Sequence, residues 1–272
     1  MQFTHEYEFI KKSLFVLMPY VAERYGDRPK VSVWSKSDAN DLLTEVDEEV
    51  QRRLTKLIGE AFPGDAILGE ELGMSGMPAD PKGRCWVLDP IDGTQNFVRG
   101  LFPAFGISIA FAADGNVRAG GVGMPMTGDV FLAERGRGAT RNGNPLAVSS
   151  VDALGLARVE IDFGNPAIRE ETLARFTKLA IHAGQVRCHC AAVVGLCSVA
   201  TGDMDGYFHV ALAPWDYAAA ALIVEEAGGR VTHLDGSALN LFGADKSLLA
   251  TNGRIHDESL GIVTRASGGL RP

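Results

Sequence analysis

The chain has 272 residues, 46% of them hydrophobic, and a formal net charge of −8 at pH 7. This acidic balance argues against nucleic acid as the main partner and against a membrane-surface role, because anionic phosphates attract basic surfaces. No apolar run reaches the ~18 residues of a membrane span, and the amino terminus lacks a secretory signal pattern. We therefore expect a cytoplasmic globular protein that binds neither nucleic acid nor membrane.

Hydrophobic periodicity predicts helices in the first part of the chain. Apolar residues at helical spacing predict a helix over residues 10–21 that ends or kinks around Pro19. Apolar residues at the same spacing predict a second helix over residues 46–61. Thr44 and Asp47 stand at the spacing of a capping box at its start, which predicts where that helix begins.

From residue 86 to about 148 the pattern changes to strands separated by Asp-Gly, Met-Pro and Thr-Gly turns, which predicts an antiparallel meander. The second half alternates strands with helices, including an apolar helix ended by Gly228 and Gly229. This interleaving without strict βαβ order predicts an α+β or layered α/β class. We expect one compact unit made of two halves, 1–148 and 149–272.

The four cysteines are too few for a disulfide framework in a chain this long. Three of them cluster, and the run Cys188-His189-Cys190 suggests a metal site. We interpret these cysteines as plain buried or loop thiols instead, because successive strand residues point to opposite faces and no paired Cys-x-x-Cys motif accompanies them.

The run DPIDGT at residues 89–94 is the first strong candidate for chemistry. A strand delivers Asp89 to its carboxyl end, where loops form sites, and Asp92 follows so closely that the two carboxylates should repel. Gly93 permits close backbone approach, and Thr94 adds a hydroxyl at a helix start. Such oxygen-rich clusters suit Mg²⁺, and exposed N–H groups suit phosphate. The alternative is an Asx turn with solvated carboxylates.

Three other acidic residues fit the same site but have simpler alternatives. Glu70 follows a short apolar strand and could aim a carboxylate at the same place. Asp216 stands at the head of the apolar helix, where it could be a simple N-cap. Asp47 could act only as the partner of Thr44 in the capping box.

Four segments resemble signatures of the inositol monophosphatase family of Mg²⁺-dependent phosphatases. They are GEE at 69–71, DPIDGTQNF at 89–97, PWDYAAAALIVEEAGG at 214–229 and LLTEVDEEV at 42–50, with Lys36 at a fitting distance before the last. Motifs in order across nearly the whole chain are far more specific than one motif alone. The resemblance implies a layered α/β/α/β/α fold, a homodimer, two to three Mg²⁺ ions and sensitivity to lithium.

The resemblance also implies roles for individual residues. The metal ligands would be Glu70, Asp89, the Ile91 carbonyl, Asp92 and Asp216. The residues implied in catalysis would be Glu70, Thr94, Asp92 and Asp47, with Lys36 acting from behind the ligands. The residues implied in substrate binding would be Gly93, Thr94 and Asp216.

The substrate side departs from the family pattern. His209 stands where the family usually has a glutamate that binds a sugar hydroxyl, and Cys190-Ala191 replace a Gly-Ser or Gly-Thr pair. If His209 faces the pocket, it could bind a polyol hydroxyl when neutral or a second anion when protonated. Arg187 could also line the pocket, or be an ordinary surface or packing arginine.

We therefore expect a Mg²⁺-dependent phosphomonoesterase for inositol 1-phosphate or a similar polyol or sugar phosphate. Histidinol phosphate and fructose 1,6-bisphosphate are alternative substrates, whereas Gln95-Asn96 differ from the Lys-Glu typical of the nucleotide branch. An alternative of another class is a regulatory role, because some bacterial family members are thought to act through RNA polymerase or other protein partners. The intact carboxylates argue against a pure scaffold.

Overall fold

The computed structural model describes residues 3–36, 42–72, 78, 80–100, 103–163 and 166–266. Within these residues the helices are α1 (Thr4–Gly26), α2 (Glu45–Ala61), α3 (Thr94–Arg99), α4 (Pro166–His182), α5 (Ala192–Ala200), α6 (Pro214–Glu226) and α7 (His256–Ala266). The strands are β1 (Val33–Ser35), β2 (Leu42–Thr44), β3 (Ala66–Gly69), β4 (Cys85–Asp92), β5 (Gly106–Ala113), β6 (Asn116–Met124), β7 (Asp129–Glu134), β8 (Ala139–Arg141), β9 (Asn144–Pro145), β10 (Arg158–Ile161), β11 (Gln185–Arg187), β12 (Gly206–His209), β13 (Arg230–Thr232) and β14 (Leu248–Thr251).

Two large sheets alternate with three layers of helices. Strands β3 to β9 form a seven-stranded sheet in chain order, parallel between β3 and β4 and antiparallel from β4 onwards. The second sheet has the order β11-β10-β12-β14-β13, with β11, β10 and β12 parallel. Helices α1 and α2 cover the outer face of the first sheet, α5 and α6 lie between the sheets, and α4 and α7 cover the second. The predicted meander and layered α/β/α/β/α fold are confirmed.

Strand β4 shows how the layers arise from sequence. Trp86 and Leu88 pack on the side of α1 and α2, whereas Cys85 and Val87 pack on the side of α5 and α6. A strand covered on both faces needs apolar residues throughout, so β4 reads as a continuous apolar run. Its burial ends only at Asp92, where the polar site begins.

Helix α1 runs through Pro19 to Gly26, so the prediction that it could end at Pro19 is wrong. Residues on both sides of the proline, including Leu14 and Val21, are fully buried against the sheet. Packing of this apolar face stabilises the helix enough to offset the one hydrogen bond that proline removes.

In the part of the chain described above, we find no helix with the length and apolar character of a membrane span. The division into halves 1–148 and 149–272 stays a prediction.

The buried His256 should make stability depend on pH. Its ring nitrogens lie 3.0 Å from the hydroxyls of Thr232 and Thr251, and burial, with a contribution from Arg230, lowers its pKa to about 4. The unfolded chain then binds more protons between pH 6.5 and 4, so the free energy of unfolding should fall by up to about 3 kcal/mol as pH drops through that window.

Chemical denaturation of the native chain and of His256→Gln at pH 7, 5.5 and 4 measures this contribution. Other groups titrate in both proteins, so the difference between the two curves isolates His256. Parallel curves would contradict the prediction.

Candidate functional site

Three segments bring four carboxylates to one end of the seven-stranded sheet. Gly69 pairs with Leu88 across the parallel strands β3 and β4, so Glu70 and Asp89 leave neighbouring strand ends side by side. Their carboxyl groups are close enough for the charge of Glu70 to raise the pKa of Asp89. Asp92 ends β4, and Asp216 approaches from the first turn of α6, close enough to raise the pKa of Asp89.

Burial and mutual repulsion raise the pKa of the three aspartates. Burial is the larger cause for Asp89 and Asp216, and repulsion from Glu70 and Asp92 adds to it, so both pKa values lie well above the usual range. Burial also raises the pKa of Asp92 to about 7, although backbone N–H groups oppose the shift. Ionised carboxylates this close need positive charge, which a bound cation supplies.

The amino end of α5 holds Asp92. The Val193 N–H donates to Asp92 Oδ2 at 2.7 Å, and the Ala192 N–H also lowers the pKa of this carboxyl group. The first N–H groups of a helix have no partner inside the helix and carry partial positive charge, so they orient a carboxylate well. This contact could not be predicted from the sequence, because nothing in a local pattern links residues 92 and 193.

Gly93 forms a tight connection between β4 and α3. Its φ is +90°, and a Cβ here would lie 3.0 Å from both the Ala104 carbonyl oxygen and the Ala191 side chain. Thr94 starts α3 directly afterwards. The Thr94 hydroxyl donates to the Ile91 carbonyl at 2.9 Å and lies 3.4 Å from Asp47 Oδ1.

The capping box predicted at the start of α2 is confirmed. Thr44 Oγ1 accepts from the Val46 and Asp47 N–H groups, and Asp47 Oδ2 accepts from the Thr44 N–H at 2.8 Å. Burial raises the pKa of Asp47 to about 7 despite these hydrogen bonds. The capping role and the contact with Thr94 coexist, because they use different oxygens of one carboxyl group.

Lys36 bridges two adjacent glutamates. Its ammonium group donates to Glu70 at 2.7 Å and to Glu71 at 2.8 Å. Partial burial alone would lower the pKa of Lys36, but the two carboxylates outweigh it and raise the pKa. Lys36 therefore contacts the proposed ligand Glu70, and Glu71 is a second partner that the motif resemblance did not indicate.

Asp216 is not the N-cap of α6. Ala213 occupies that position, and Asp216 stands three residues later, where its Oδ2 accepts from the Ala213 N–H at 2.7 Å. Pro214 and Trp215 separate the cap from the carboxylate, which is why spacing alone suggested the wrong role. The contact fixes the Asp216 side chain at the start of the helix, next to the other carboxylates.

The two candidate substrate residues differ in position. His209 ends β12 with only 4% of its surface exposed, and its Nδ1 accepts from the Ala211 N–H at 3.0 Å. Burial lowers the pKa of His209, so the ring is neutral and its proton lies on Nε2. Arg187 is exposed at the end of β11, and its guanidinium donates to the Val186 carbonyl and the Gln185 side chain. These contacts do not join Arg187 to the carboxylates.

The donor set fits a hard divalent cation. The carboxylates of Glu70, Asp89, Asp92 and Asp216 and the nearby Ile91 carbonyl offer only oxygen, which is what Mg²⁺ prefers. The raised pKa values of the aspartates show how unfavourable the ionised cluster is without added positive charge.

Known proteins share both the fold and the sequence. A fructose-1,6-bisphosphatase/inositol-1-monophosphatase of Thermotoga maritima is 35% identical over 237 residues, covering 85% of this chain and 86% of the relative. A putative Nus factor SuhB of Neisseria meningitidis is 36% identical over 230 residues, covering 83% and 85%. The solved structure of the Thermotoga maritima IMPase matches with a TM-score of 0.82 at 31% identity, covering 96% and 99%.

The fold and these relatives define the class: the chain is a phosphatase, that is, a phosphoric monoester hydrolase. The model of the inositol monophosphatase family matches residues 4–267, and the chain belongs to that family. Its members are generally metal-dependent.

Replacing Gly93 by alanine should destabilise the protein more than the same change at Gly64. The two residues have similar left-handed backbone conformations, with φ of +95° at Gly64 and +90° at Gly93. A Cβ at Gly64 would meet nothing within 4 Å, whereas a Cβ at Gly93 would meet backbone and side-chain atoms at 3.0 Å. Gly64→Ala should cost about 1 kcal/mol for the backbone conformation. Gly93→Ala should cost at least about 1 kcal/mol more, because it adds overpacking.

Urea denaturation of the two variants and the native chain gives both costs. Equal costs would mean that the loop at Gly93 moves aside without penalty, contrary to the close packing described above.

Proposed function

We propose that this protein is a Mg²⁺-dependent phosphomonoesterase that hydrolyses a small polyol or sugar phosphate, with inositol 1-phosphate as the leading candidate. The observation that carries the proposal is the meeting of Glu70, Asp89, Asp92 and Asp216. Among the described residues around them, Lys36 supplies the one cation bonded to the cluster. Two to three bound Mg²⁺ ions would balance the remaining negative charge.

The metal ligands we propose are Glu70, Asp89, the Ile91 carbonyl, Asp92 and Asp216. Bound divalent metal would supply an activated water at neutral pH and positive charge for the phosphate and leaving oxygens.

The chain's own groups would then position the reactants. Glu70 and the Thr94 hydroxyl orient the attacking water, and Asp47 holds the Thr94 hydroxyl from behind. Gly93 brings backbone N–H groups close to the phosphate oxygens, where developing negative charge is stabilised. Lys36 holds Glu70 in place through its ammonium group.

The neutral His209 supports a hydroxyl-bearing substrate. Because its Nδ1 accepts a backbone hydrogen bond, its Nε2–H is the group that would donate to a ligand oxygen if the ring faces the pocket. Of the two roles that the sequence left open, the donor to a polyol hydroxyl is therefore favoured over binding of a second anion. The relative named fructose-1,6-bisphosphatase/inositol-1-monophosphatase supports the same substrate class.

Phosphate release by the purified protein tests the proposal. The substrates are inositol 1-phosphate, fructose 1,6-bisphosphate, histidinol phosphate and 3′-phosphoadenosine 5′-phosphate, each with Mg²⁺ and with EDTA. We expect turnover only with Mg²⁺, and the fastest turnover with inositol 1-phosphate or another polyol or sugar phosphate. Absence of Mg²⁺-dependent turnover across this panel would contradict the proposal, and the fastest turnover on histidinol phosphate would contradict the substrate class.

Asp92→Asn should lower turnover by at least about 10³-fold, because losing several kcal/mol of metal-based stabilisation costs a factor of ten per 1.4 kcal/mol. Asp114→Asn is the matched control, since Asp114 is in an exposed turn with φ +55°, a conformation that asparagine adopts readily. The control should keep native turnover. Equal activity of both variants would exclude Asp92 from the site's chemistry.

Thr94→Val should lower kcat by about 10²-fold with little change in KM, because it removes the water-orienting hydroxyl but keeps the side-chain shape. Thr94→Ser restores a hydroxyl and should restore most of kcat. If the valine variant raises KM and leaves kcat intact, Thr94 binds substrate and does not orient water.

The relatives named SuhB favour a second role in binding a protein partner. Such a role would not need turnover, so a partner retained by both native protein and Asp92→Asn in a pull-down would support it. If no partner is retained in that assay, the protein-binding role is contradicted and only the enzymatic role remains. Homodimer formation, lithium inhibition, a cytoplasmic location and the absence of nucleic-acid or membrane binding stay predictions.

A further inference from the structure

Two cysteines and an aspartate meet at the edge of the five-stranded sheet. Strands β10 and β11 are adjacent and parallel, with Glu160 paired to Arg187, so Asp162 and Cys188 follow neighbouring strand ends. The chain then turns back at Cys190, which has φ +55°. The two sulfurs lie 3.4 Å apart, and a carboxylate oxygen of Asp162 lies within 4.8 Å of both.

Cys188 and Cys190 are free thiols in the loop before α5, as expected. The reason for setting a metal site aside does not hold, however, because β11 ends at Arg187 and the alternation of strand side chains does not apply to the cysteines. The turn at Cys190 brings its sulfur to that of Cys188. The intervening His189 takes another direction, since its Nδ1 lies 2.8 Å from a Glu160 oxygen.

The spacing of the two sulfurs matches what a tetrahedral cation requires, and a carboxylate oxygen is close by. Zn²⁺ holds thiolate sulfur at about 2.3 Å, which places two sulfurs about 3.7 Å apart, within a few tenths of an ångström of the observed separation. A carboxylate oxygen is an accepted third ligand at about 2.0–2.2 Å. The Phe163 backbone N–H also donates to the Cys188 sulfur, which stabilises negative charge there.

We propose that Asp162, Cys188 and Cys190 bind a thiophilic divalent cation, Zn²⁺, at a site of their own beside the carboxylate cluster. Both cysteines are exposed, so the cation can enter from solvent and keep its fourth position for water or a solute. Sulfur ligands select Zn²⁺, whereas the oxygen ligands of the cluster select Mg²⁺. The two sites therefore take different metals.

Occupancy would act on the carboxylate cluster through α5. Ala191 is packed against Gly93, and the Ala192 and Val193 N–H groups that follow hold Asp92. A cation that fixes Cys190 would fix the start of this helix and with it the orientation of Asp92. Only this coupling rests on the proposed function, and the metal site itself does not.

Titration of the reduced full-length protein with Co²⁺, in excess Mg²⁺, tests the site. Cobalt bound to thiolate gives a sulfur-to-metal charge-transfer band in the near ultraviolet, which oxygen ligands do not give. We expect this band to saturate near one Co²⁺ per chain and to disappear when Zn²⁺ is added. Cys188→Ser and Cys190→Ser should each abolish the band. Asp162→Asn should weaken Co²⁺ affinity by more than about tenfold, which is the smallest loss typical of residues that only contact the ligands.

His189→Gln is the matched control, because it changes a ligand-type residue in the same loop that faces Glu160. It should keep the band. No band at saturating Co²⁺, or a band that survives both serine variants, would overturn the proposal. Unchanged circular dichroism and thermal midpoints confirm that each variant is folded.

Phosphatase turnover measured on the same preparations separates the two proposals. Turnover without the charge-transfer band overturns only the cysteine site. A band without Mg²⁺-dependent turnover supports the cysteine site and overturns only the proposed function.

Discussion

Repulsion between like charges is the constraint on which the rest of this structure depends. Two unit charges about 4 Å apart interact by about 4 kcal/mol at the effective dielectric constant near a protein surface. A few such pairs rival the whole net stability of a typical domain, about 5–15 kcal/mol. The carboxylates of Asp89, Asp92 and Asp216 can thus stay together only on a rigid framework that also admits positive charge.

The fold meets this constraint with backbone amides. Asp89 accepts from the Ile91 N–H, Asp92 from Val193, and Asp216 from Ala213. Asp47, next to the cluster, accepts from Thr44 in the same way. Each hydrogen bond fixes one oxygen with a partial positive charge and so sets the direction of the carboxyl group. The orientation of these aspartates therefore comes from fixed backbone groups, whereas the Lys36 side chain holds Glu70.

The features of the fold and of the candidate site that could be predicted from the sequence are those encoded by residues close together in the chain. The strand before Asp89, the capping box at Thr44 and the helix after Pro214 are encoded within a few residues, and all three were found. The contact between Asp92 and Val193 joins residues 101 positions apart, and the meeting of Asp162 with Cys188 depends on strand order. No periodicity carries that information, because the first contact arises from packing of the first sheet against α5 and the second from the pairing of β10 with β11.

The proline rule at Pro19 and the strand rule at the Cys188 run did not hold for a different reason. In both cases a sound local rule was applied where tertiary structure decides the outcome. Burial of α1 against the sheet offsets the proline penalty, and the left-handed backbone at Cys190 replaces strand geometry by a turn. Local rules are weakest where packing or a single unusual φ controls the chain, and the second of these positions borders the site.

The two sheets carry different groups of polar residues on either side of α5. The four carboxylates come from the ends of β3 and β4 and from the first turn of α6. In the other sheet, Asp162 and Cys188 follow β10 and β11, and His209 ends β12. Side chains at these strand ends can change without disturbing the amide contacts that orient the carboxylates. Helix α5 connects the two, because its start follows Cys190 and its first N–H groups hold Asp92. A change in the loop before α5 can therefore reach Asp92 through the backbone of this helix.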